Sequence, residues 1–423
     1  MPRSAHLISR AQIHPGALKV LNALKQAGFA GYLVGGCVRD LMLGREPKDF
    51  DVVTDARPED IRKLFRSARL IGRRFRLAHV RFGRDVIEVA TFRAMPRTSE
   101  DEETAEGVTA EGRILRDNVF GTQEEDALRR DFTVNALYYD LQNTSVIDYV
   151  GGVEDLKRGL VRMIGDPDTR YREDPVRLLR AVRFCAKLGF KMEPATEAPI
   201  AERATLLGDV PPARMYEEVL KLFHGGYALE TYELLRKYGL SRFLFPLTEK
   251  ILASERNGYP RTLVPLGLAN TDKRVQEHKP VTPAFLFAFM LWEPLRVEAE
   301  AQMAEGRPRH EAMRVATASV VSEQARHVAM PRRITVPMRE IWALQSRFER
   351  RAGNQAFRFL ENERFRAAYD FLLLRTQAGE EEQTLGKWWT DFQEAADPRR
   401  RAMVREISAT RRAGRKRRRR RKT

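Results

Sequence analysis

Two carboxylates one residue apart, Asp49 and Asp51 in the run Lys48-Asp49-Phe50-Asp51, have the type and spacing for chemistry. On a strand, residues i and i+2 share a face. The two acids would then stand side by side, with Phe50 buried beneath the sheet. Like charges that close repel and call for a cation between them. Hard oxygen ligands suit Mg²⁺, which uses a few carboxylates together with substrate phosphates. Two solvent-facing acids on a sheet edge would read the same way, so the neighbouring motifs decide.

Upstream lies Gly35-Gly36-Cys37-Val38-Arg39-Asp40. A strand runs into two glycines, and a short helix over 38–43 follows. Glycine lets backbone approach a ligand closely, and a helix start offers free N–H donors to an anion. Arg39 adds a planar cationic fork suited to phosphate. Downstream, Arg130, Asp131 and Asn135 sit in Arg129-Arg130-Asp131-Phe132-Thr133-Val134-Asn135-Ala136. Arg130 is a candidate phosphate or sugar ligand, and Asn135 can hydrogen-bond a ribose. Asp131 either caps a helix continuing through Asn135 and Leu137 or supplies a third carboxylate. Further on, Arg172-Glu173-Asp174-Pro175 opens a helix with Asp174 as its cap. Arg177, Arg180 and Arg183 then recur every third residue, opposite Leu178, Leu179, Val182 and Ala186. Such a row is either a solvated face or a surface for phosphates and bases.

These residues need a scaffold, and the patterning supplies one. Helical spacing covers 15–27 and 57–65, and short strands read at 31–34, 50–54, 78–82 and 86–92, with a hairpin turn at 82–85. Residues 95–113 are acidic and polar, the composition of a mobile surface loop. After about residue 170 the strand signals fade. Helical spacing recurs at 217–223, 229–238, 284–291, 312–329, 338–350 and 363–374, and Pro/Gly-rich stretches at 257–283 and 306–308 read as joints. Trp342, Phe348, Phe357 and Phe359 fit a helical core better than base stacking. His79 reads as a packing or surface histidine. The fold class is α+β: a mixed-sheet head over 1–150, a helical neck over 151–255, a helical body over 256–398 and a disordered basic tail over 399–423.

The chain has 423 residues and a net charge of +17, and its 43% hydrophobic content excludes general disorder. No stretch approaches the ~20 apolar residues of a membrane span. The first residues lack the apolar run of a signal peptide. Two cysteines, Cys37 and Cys185, make neither a disulfide framework nor a zinc site, which suits a reducing cytoplasmic setting. From Arg399 onward there are fourteen Lys/Arg and one acid, so +13 sits in 25 residues and +4 in the rest. Arg411, Arg412, Arg415, Lys416, Arg417, Arg418, Arg419, Arg420, Arg421 and Lys422 are candidate RNA-backbone ligands, as is Arg183. Such runs bind polyanions by counterion release, with little sequence selectivity.

The runs YLVGGCVRDLMLGREPKDFDVVT, RRDFTVNALYYD and YREDPVRLLRAVRFCAKLGF, in that order over about residues 30–190, resemble the class II nucleotidyltransferases. That superfamily holds tRNA CCA-adding enzymes and bacterial poly(A) polymerases. LIGRRFRLAHV at 70–80 and LRDNVFGTQEEDALRRDFT at 115–133 resemble the poly(A) polymerase branch. The chain has no His-Asp dipeptide of the kind found in relatives with a phosphohydrolase domain. The resemblance implies template-independent transfer of AMP from ATP to RNA 3′ ends with release of pyrophosphate, by a two-Mg²⁺ mechanism. It implies Asp49 and Asp51 as Mg²⁺ ligands and Asp131 as a third catalytic carboxylate. Gly35, Gly36, Arg39, Arg130 and Asn135 would hold triphosphate and sugar. Glu173, Asp174, Arg177 and Arg180 would shape the nucleotide pocket, with base recognition centred on Asp174 and Arg177. Implied partners are ATP, messenger and other single-stranded or structured RNAs, and RNA-degradation or RNA-chaperone factors. The alternatives are a tRNA CCA-adding enzyme and a catalytically silent RNA-binding adaptor.

Overall fold

The computed structural model describes residues 1–72, 76–94, 119–253 and 262–420, the last stretch by backbone alone from 410 on. The acidic loop at 95–113, part of the 70–80 signature and the side chains of the basic run from Arg411 to Lys422 therefore lie outside the described residues. The chain divides into two compact units, Met1–Leu207 and Gly208–Thr423.

The first unit is built on a sheet. Helix α1 (Pro15–Gln26) starts where His14 Nδ1 accepts from the Gly16 N–H at 3.0 Å, and it buries Ala17, Val20, Leu21 and Leu24. Strand β1 (Gly31–Val34) runs into helix α2 (Gly36–Met42), and β2 (Asp51–Thr54) follows. After helix α3 (Pro58–Leu64) come β3 (Ala68–Ile71), β4 (Leu77–Phe82) and β5 (Asp85–Thr91), with Gly83 at φ 64° in the β4–β5 turn. Only glycine takes that conformation without strain. Helix α4 (Gln123–Leu128) leads to β6 (Leu137–Asp140) and β7 (Ser145–Asp148), and helix α5 (Gly152–Arg158) follows. The order across the sheet is β3-β4-β5-β2-β1-β6-β7, antiparallel except for the parallel β2–β5 pair.

Three of these strands, β3, β6 and β7, go unread in the sequence. The expected helix through Asn135 and Leu137 is instead a single 3₁₀ turn, Thr133–Asn135, followed by β6. The reason is tertiary. Tyr138 and Tyr139 are good strand formers, and β6 completes the backbone hydrogen bonds along the otherwise open edge of β1. The ladder of β2 begins at Asp51, so Asp49 and Phe50 precede it. The alternation still holds, with Asp49 exposed, Phe50 buried and Asp51 half-buried.

Helix α6 (Pro167–Glu173) and helix α7 (Val176–Leu188) close this unit's site side. Asp174 is not the N-cap expected of it, because α7 starts one residue later with Pro175 at that position; its carboxylate still accepts from the Val176 N–H at 3.3 Å. Leu178, Leu179, Val182 and Ala186 are all buried, as their spacing predicts.

In the second unit every described element is a helix or a single helical turn. The six helical segments read from the sequence are all present. The expected joint at 257–283 is largely a 14-residue helix, Leu263–Gln276, because Val264, Gly267, Leu268 and Thr271 recur on one buried side. Phe348, Phe359, Phe365, Trp389 and Phe392 form one core cluster that also takes in Met403 and Val404. Trp342 is 2% exposed. These aromatics are core and not base platforms. Backbone helix runs over Asp397–Arg420. Lys and Arg have good intrinsic helix propensity even where their charges repel. Among the described residues no helix is long and apolar enough to cross a membrane.

Gly152 carries a packing constraint. A Cβ built there would meet the Thr133 carbonyl oxygen at 2.2 Å, against backbone that cannot move aside. Gly152→Ala should cost about 1–3 kcal/mol through overpacking and lower the apparent Tm. Gly208→Ala, where a Cβ meets nothing within 4 Å, should leave it unchanged.

Candidate active site

Asp51 sits in the middle of the sheet, opposite Val34 of β1 on one side and Glu88 of β5 on the other. Burial and the Glu88 carboxylate push its carboxyl up to about 6, with Asp49 adding repulsion and Arg130 opposing it. Glu88 is a carboxylate the motif reading missed. Its signal was present, as a lone acid on the exposed face of the alternating run Val86–Phe92, paired in register with Asp51. Across β4 it is paired with His79, whose Nε2 lies 3.2 Å from Glu88 Oε1. The histidine read as a packing or surface residue is partly exposed and hydrogen-bonds Glu88 beside the site.

Arg130 is the cation that faces Asp51. Its Nε and Nη2 bind Asp126 Oδ2 at 3.1 and 2.9 Å, and its Nε reaches the Tyr138 hydroxyl at 3.2 Å. Burial works against its charge, but Asp126 and Tyr138 override it and hold the pKa above its ordinary value. Tyr138 also donates to Asp126 at 2.9 Å. The remaining nitrogen, Nη1, lies against the glycine turn, 3.5 Å from where a Gly35 Cβ would be. Gly35 has φ 75° and ψ −126°, and the same Cβ would lie 3.4 Å from the Asn135 carbonyl oxygen. The glycine therefore both makes the turn and keeps open the space between strand end and arginine.

Several predicted ligands are placed differently. Arg39 is 1% exposed, and its fork is occupied: Nε binds Asp40 at 2.8 Å and Nη1 binds Asn135 Oδ1. Its guanidinium lies 5.4 Å from the Phe184 ring centroid. Arg39 thus builds the floor of the turn and is not an open phosphate ligand. Asn135 is spent between Arg39 and Asp131, to which it donates at 3.2 Å. Asp131 does not cap a helix. It accepts from its neighbour's Phe132 N–H at 2.8 Å and forms an ion pair with Arg180 of α7. Burial works against its charge, but Arg180, Asn135 and the Phe132 N–H hold the carboxyl down at about 2. The carboxylate set opposite Asp51 is therefore Glu88, and Asp131 is committed to Arg180.

The arginine row on α7 is half-buried and not a solvated face. Arg180 and Arg183 lie 5.4 and 4.9 Å from the Phe184 ring, the ring that also receives Arg39. Arg177 Nη1 binds Glu173 at 2.7 Å and the Arg170 carbonyl at 2.8 Å. Both hydrogen bonds of Arg177 leave from Nη1, so its other edge carries no hydrogen bond. Arg170, which the motif reading missed, binds Glu173 at 2.7 Å and the carbonyls of Arg129 and Arg130 at 2.5 and 2.6 Å. Burial, with Arg177 nearby, pushes its pKa down to about 10. It locks α6 onto the segment that carries Arg130 and Asp131.

No three His, Cys, Asp or Glu side chains among the described residues are gathered closely enough to form a protein-only metal cluster. Mg²⁺ needs none, since one or two carboxylates and substrate phosphates suffice. A half-buried Asp51 repelled by Glu88 and Asp49 is a donor set that a cation would relieve, so the residues fit that ion.

Residues 31–162 match a family model described as the poly A polymerase head domain. Residues 189–252 match the probable RNA and SrmB-binding site of polymerase A, and 305–423 match the polymerase A arginine-rich C-terminus. The chain is 50% identical over 410 residues to poly(A) polymerase I of Escherichia coli O6:H1, covering 96% of this chain and 88% of that one. It is 39% identical over 234 residues to the CCA-adding enzyme of Geobacillus stearothermophilus, covering 55% of each. Among solved structures, the Bacillus stearothermophilus CCA-adding enzyme in complex with CTP aligns with a TM-score of 0.58 at 28% identity, over 89% of this chain and 82% of that one.

The charge pattern around Asp51 predicts a titration. In the metal-free protein its carboxyl should titrate near 6, and Glu88→Gln should move the midpoint down. The folded state holds this proton more tightly than the unfolded state. Its contribution to stability is therefore full below the unfolded value and is lost as pH rises through about 6. Carboxyl NMR of Asp-labelled protein reads the midpoint directly. An unchanged midpoint in Glu88→Gln would remove Glu88 from the site.

Proposed function

The chain belongs to the poly(A) polymerase I family, and we propose that it adds AMP from ATP to RNA 3′ ends without a template, releasing pyrophosphate. The observation that carries this reading is the apposition of Asp51, Glu88 and Arg130 at the mouth of the Gly35 turn. Asp49 and Asp51 would hold Mg²⁺, which when bound polarises the attacking hydroxyl and neutralises triphosphate charge. Arg130, fixed by Asp126 and Tyr138, presents Nη1 toward the turn, where a phosphate oxygen gains a charge-assisted bond. Pre-oriented donors of this kind stabilise charge as it shifts in the transition state. Asp131 and Arg39 act at one remove, by holding the turn and α7 in register.

Nucleotide choice without a template rests on protein groups. Asp174 offers an acceptor and the open edge of Arg177 a donor to a base edge, and a mismatched base would leave such groups unpaired. Glu173 orients Arg177 for this role. Arg177→Ala should raise the ATP KM roughly tenfold, the worth of one lost hydrogen bond, and blur discrimination between ATP and CTP. Unchanged preference would remove the base-reading role.

The relatives named CCA-adding enzymes match this chain in sequence over only about half its length. Extension of a generic RNA primer with each NTP separately decides between the two, since addition of C would favour the CCA reading. The double substitution Asp49→Ala/Asp51→Ala should abolish AMP incorporation while RNA binding persists. If the wild-type protein is equally inactive with Mg²⁺ and ATP, the adaptor reading replaces the enzyme. The free thiols of Cys37 and Cys185 suit a cytoplasmic setting. The basic tail serves as an RNA tether. Deleting Arg411–Thr423 should weaken RNA affinity and its salt dependence without altering NTP preference.

A further inference from the structure

The second unit contains a groove with a cavity volume of about 980 Å³, walled by the helices Trp292–Ala304, Arg309–His327 and Arg332–Leu344. Its charges fall into two sets. On the floor they satisfy one another. Arg296 lies 3.0 Å from Glu300 and 3.6 Å from Glu380. Arg375 reaches Glu381 at 2.6 Å and Gln345 at 3.1 Å, and its guanidinium lies 4.7 Å from the Trp292 ring centroid. Trp292 Nε1 donates to Glu380 at 2.8 Å.

On the rim the set is different. Arg314, Arg339 and Arg350 are exposed and line the groove, and none has an acidic partner among the described residues. The acids nearest in sequence are engaged elsewhere or out of reach. Glu340 binds Arg364 at 2.8 Å, Glu349 faces Arg309 at 3.8 Å, and Glu311 lies outside ion-pair distance of Arg314. Other exposed arginines of this unit also lack an ion pair, and what sets these three apart is that they line one concavity. Like charges on a concave wall focus a positive potential. Met303 and Met313 put apolar surface between them.

We propose that this groove binds the phosphodiester backbone of single-stranded RNA, with Arg314, Arg339 and Arg350 as three phosphate contacts. Spaced cations interleaved with apolar surface match a strand that carries one charge per nucleotide and apolar base faces. Three separated, mutually repelling cations suit successive phosphates better than one compact anion. The groove is separate from the basic tail, and of Arg332, Arg333, Arg347, Arg350 and Arg351, the arginines clustered in this part of the sequence, only Arg350 lines it. It rests on the reading that this chain acts on RNA.

The test is binding by the full-length protein, with a fluorescent 20-mer oligoadenylate titrated at several salt concentrations and without ATP. In the R314Q/R339Q/R350Q variant, affinity at low salt should fall by about tenfold or more. The slope of log K against log salt should shrink by about 2, since each single-strand phosphate contact contributes about 0.7. A control variant, R332Q/R347Q/R358Q, removes the same charge outside the groove and should change the slope by less than half as much. Equal losses in the two variants would mean diffuse electrostatics and overturn the groove. An unchanged slope in the groove variant would overturn it as well, and would leave the cavity to an acidic protein segment. Because the readout is binding, failure of the wild-type protein to incorporate AMP would count against the enzymatic reading alone.

Discussion

Asp131 and Arg180 stand 49 positions apart in the chain, and their part-buried ion pair joins the head's sheet to α7. The pair does not stand alone. Asn135 bridges Asp131 to Arg39, and Arg39 passes the chain to Asp40. Three arginines converge on the Phe184 ring beneath them. Removing charges from water is expensive unless each finds a partner and hydrogen bonds. Each group here is therefore tolerable only with the others in place. That mutual dependence fixes the glycine turn, the loop bearing Arg130 and the start of α7 in one geometry.

The contrast with Asp51 shows where chemistry can happen. Asp131 is buried and compensated, so its carboxyl is held down at about 2. Asp51 is half-buried and under-compensated, so its carboxyl is raised to about 6. The first is a structural charge. The second is left with repulsion from Glu88 and Asp49 while its neighbours Arg39, Asp131, Arg170 and Arg180 are all paired. An excess of carboxylate beside a fixed guanidinium is the arrangement that a cation and a polyphosphate together would complete.

The same accounting separates roles among the arginines. Arg170 and Arg180 are internal fasteners, and Arg177 is half fastener and half free edge. In the second unit, Arg296 and Arg375 are satisfied by buried acids, whereas Arg314, Arg339 and Arg350 are not. Composition alone lumps these groups into one basic character. Their difference lies in whether a carboxylate has been placed within reach.

The sequence by itself determined the class of fold and the kind of chemistry. Strand-glycine-helix punctuation, the i, i+2 acids and the 3.6-residue spacing of the second half are local signals, and each was readable without its surroundings. Asp49, Asp51, the glycine turn and the helical core aromatics follow from them. What only the tertiary structure decided is partnership. Glu88 becomes a neighbour of Asp51 because β5 pairs with β2 in parallel register. Arg39, Asn135 and Asp131 turn from ligands into fasteners because α7 delivers Arg180 and Phe184 to them. A strand replaces the expected helix at Leu137–Asp140 because β1 has an edge to fill. Side-chain type and spacing are properties of the local chain. Whether a charge is spent or free depends on residues distant in sequence, and only folding brings those together.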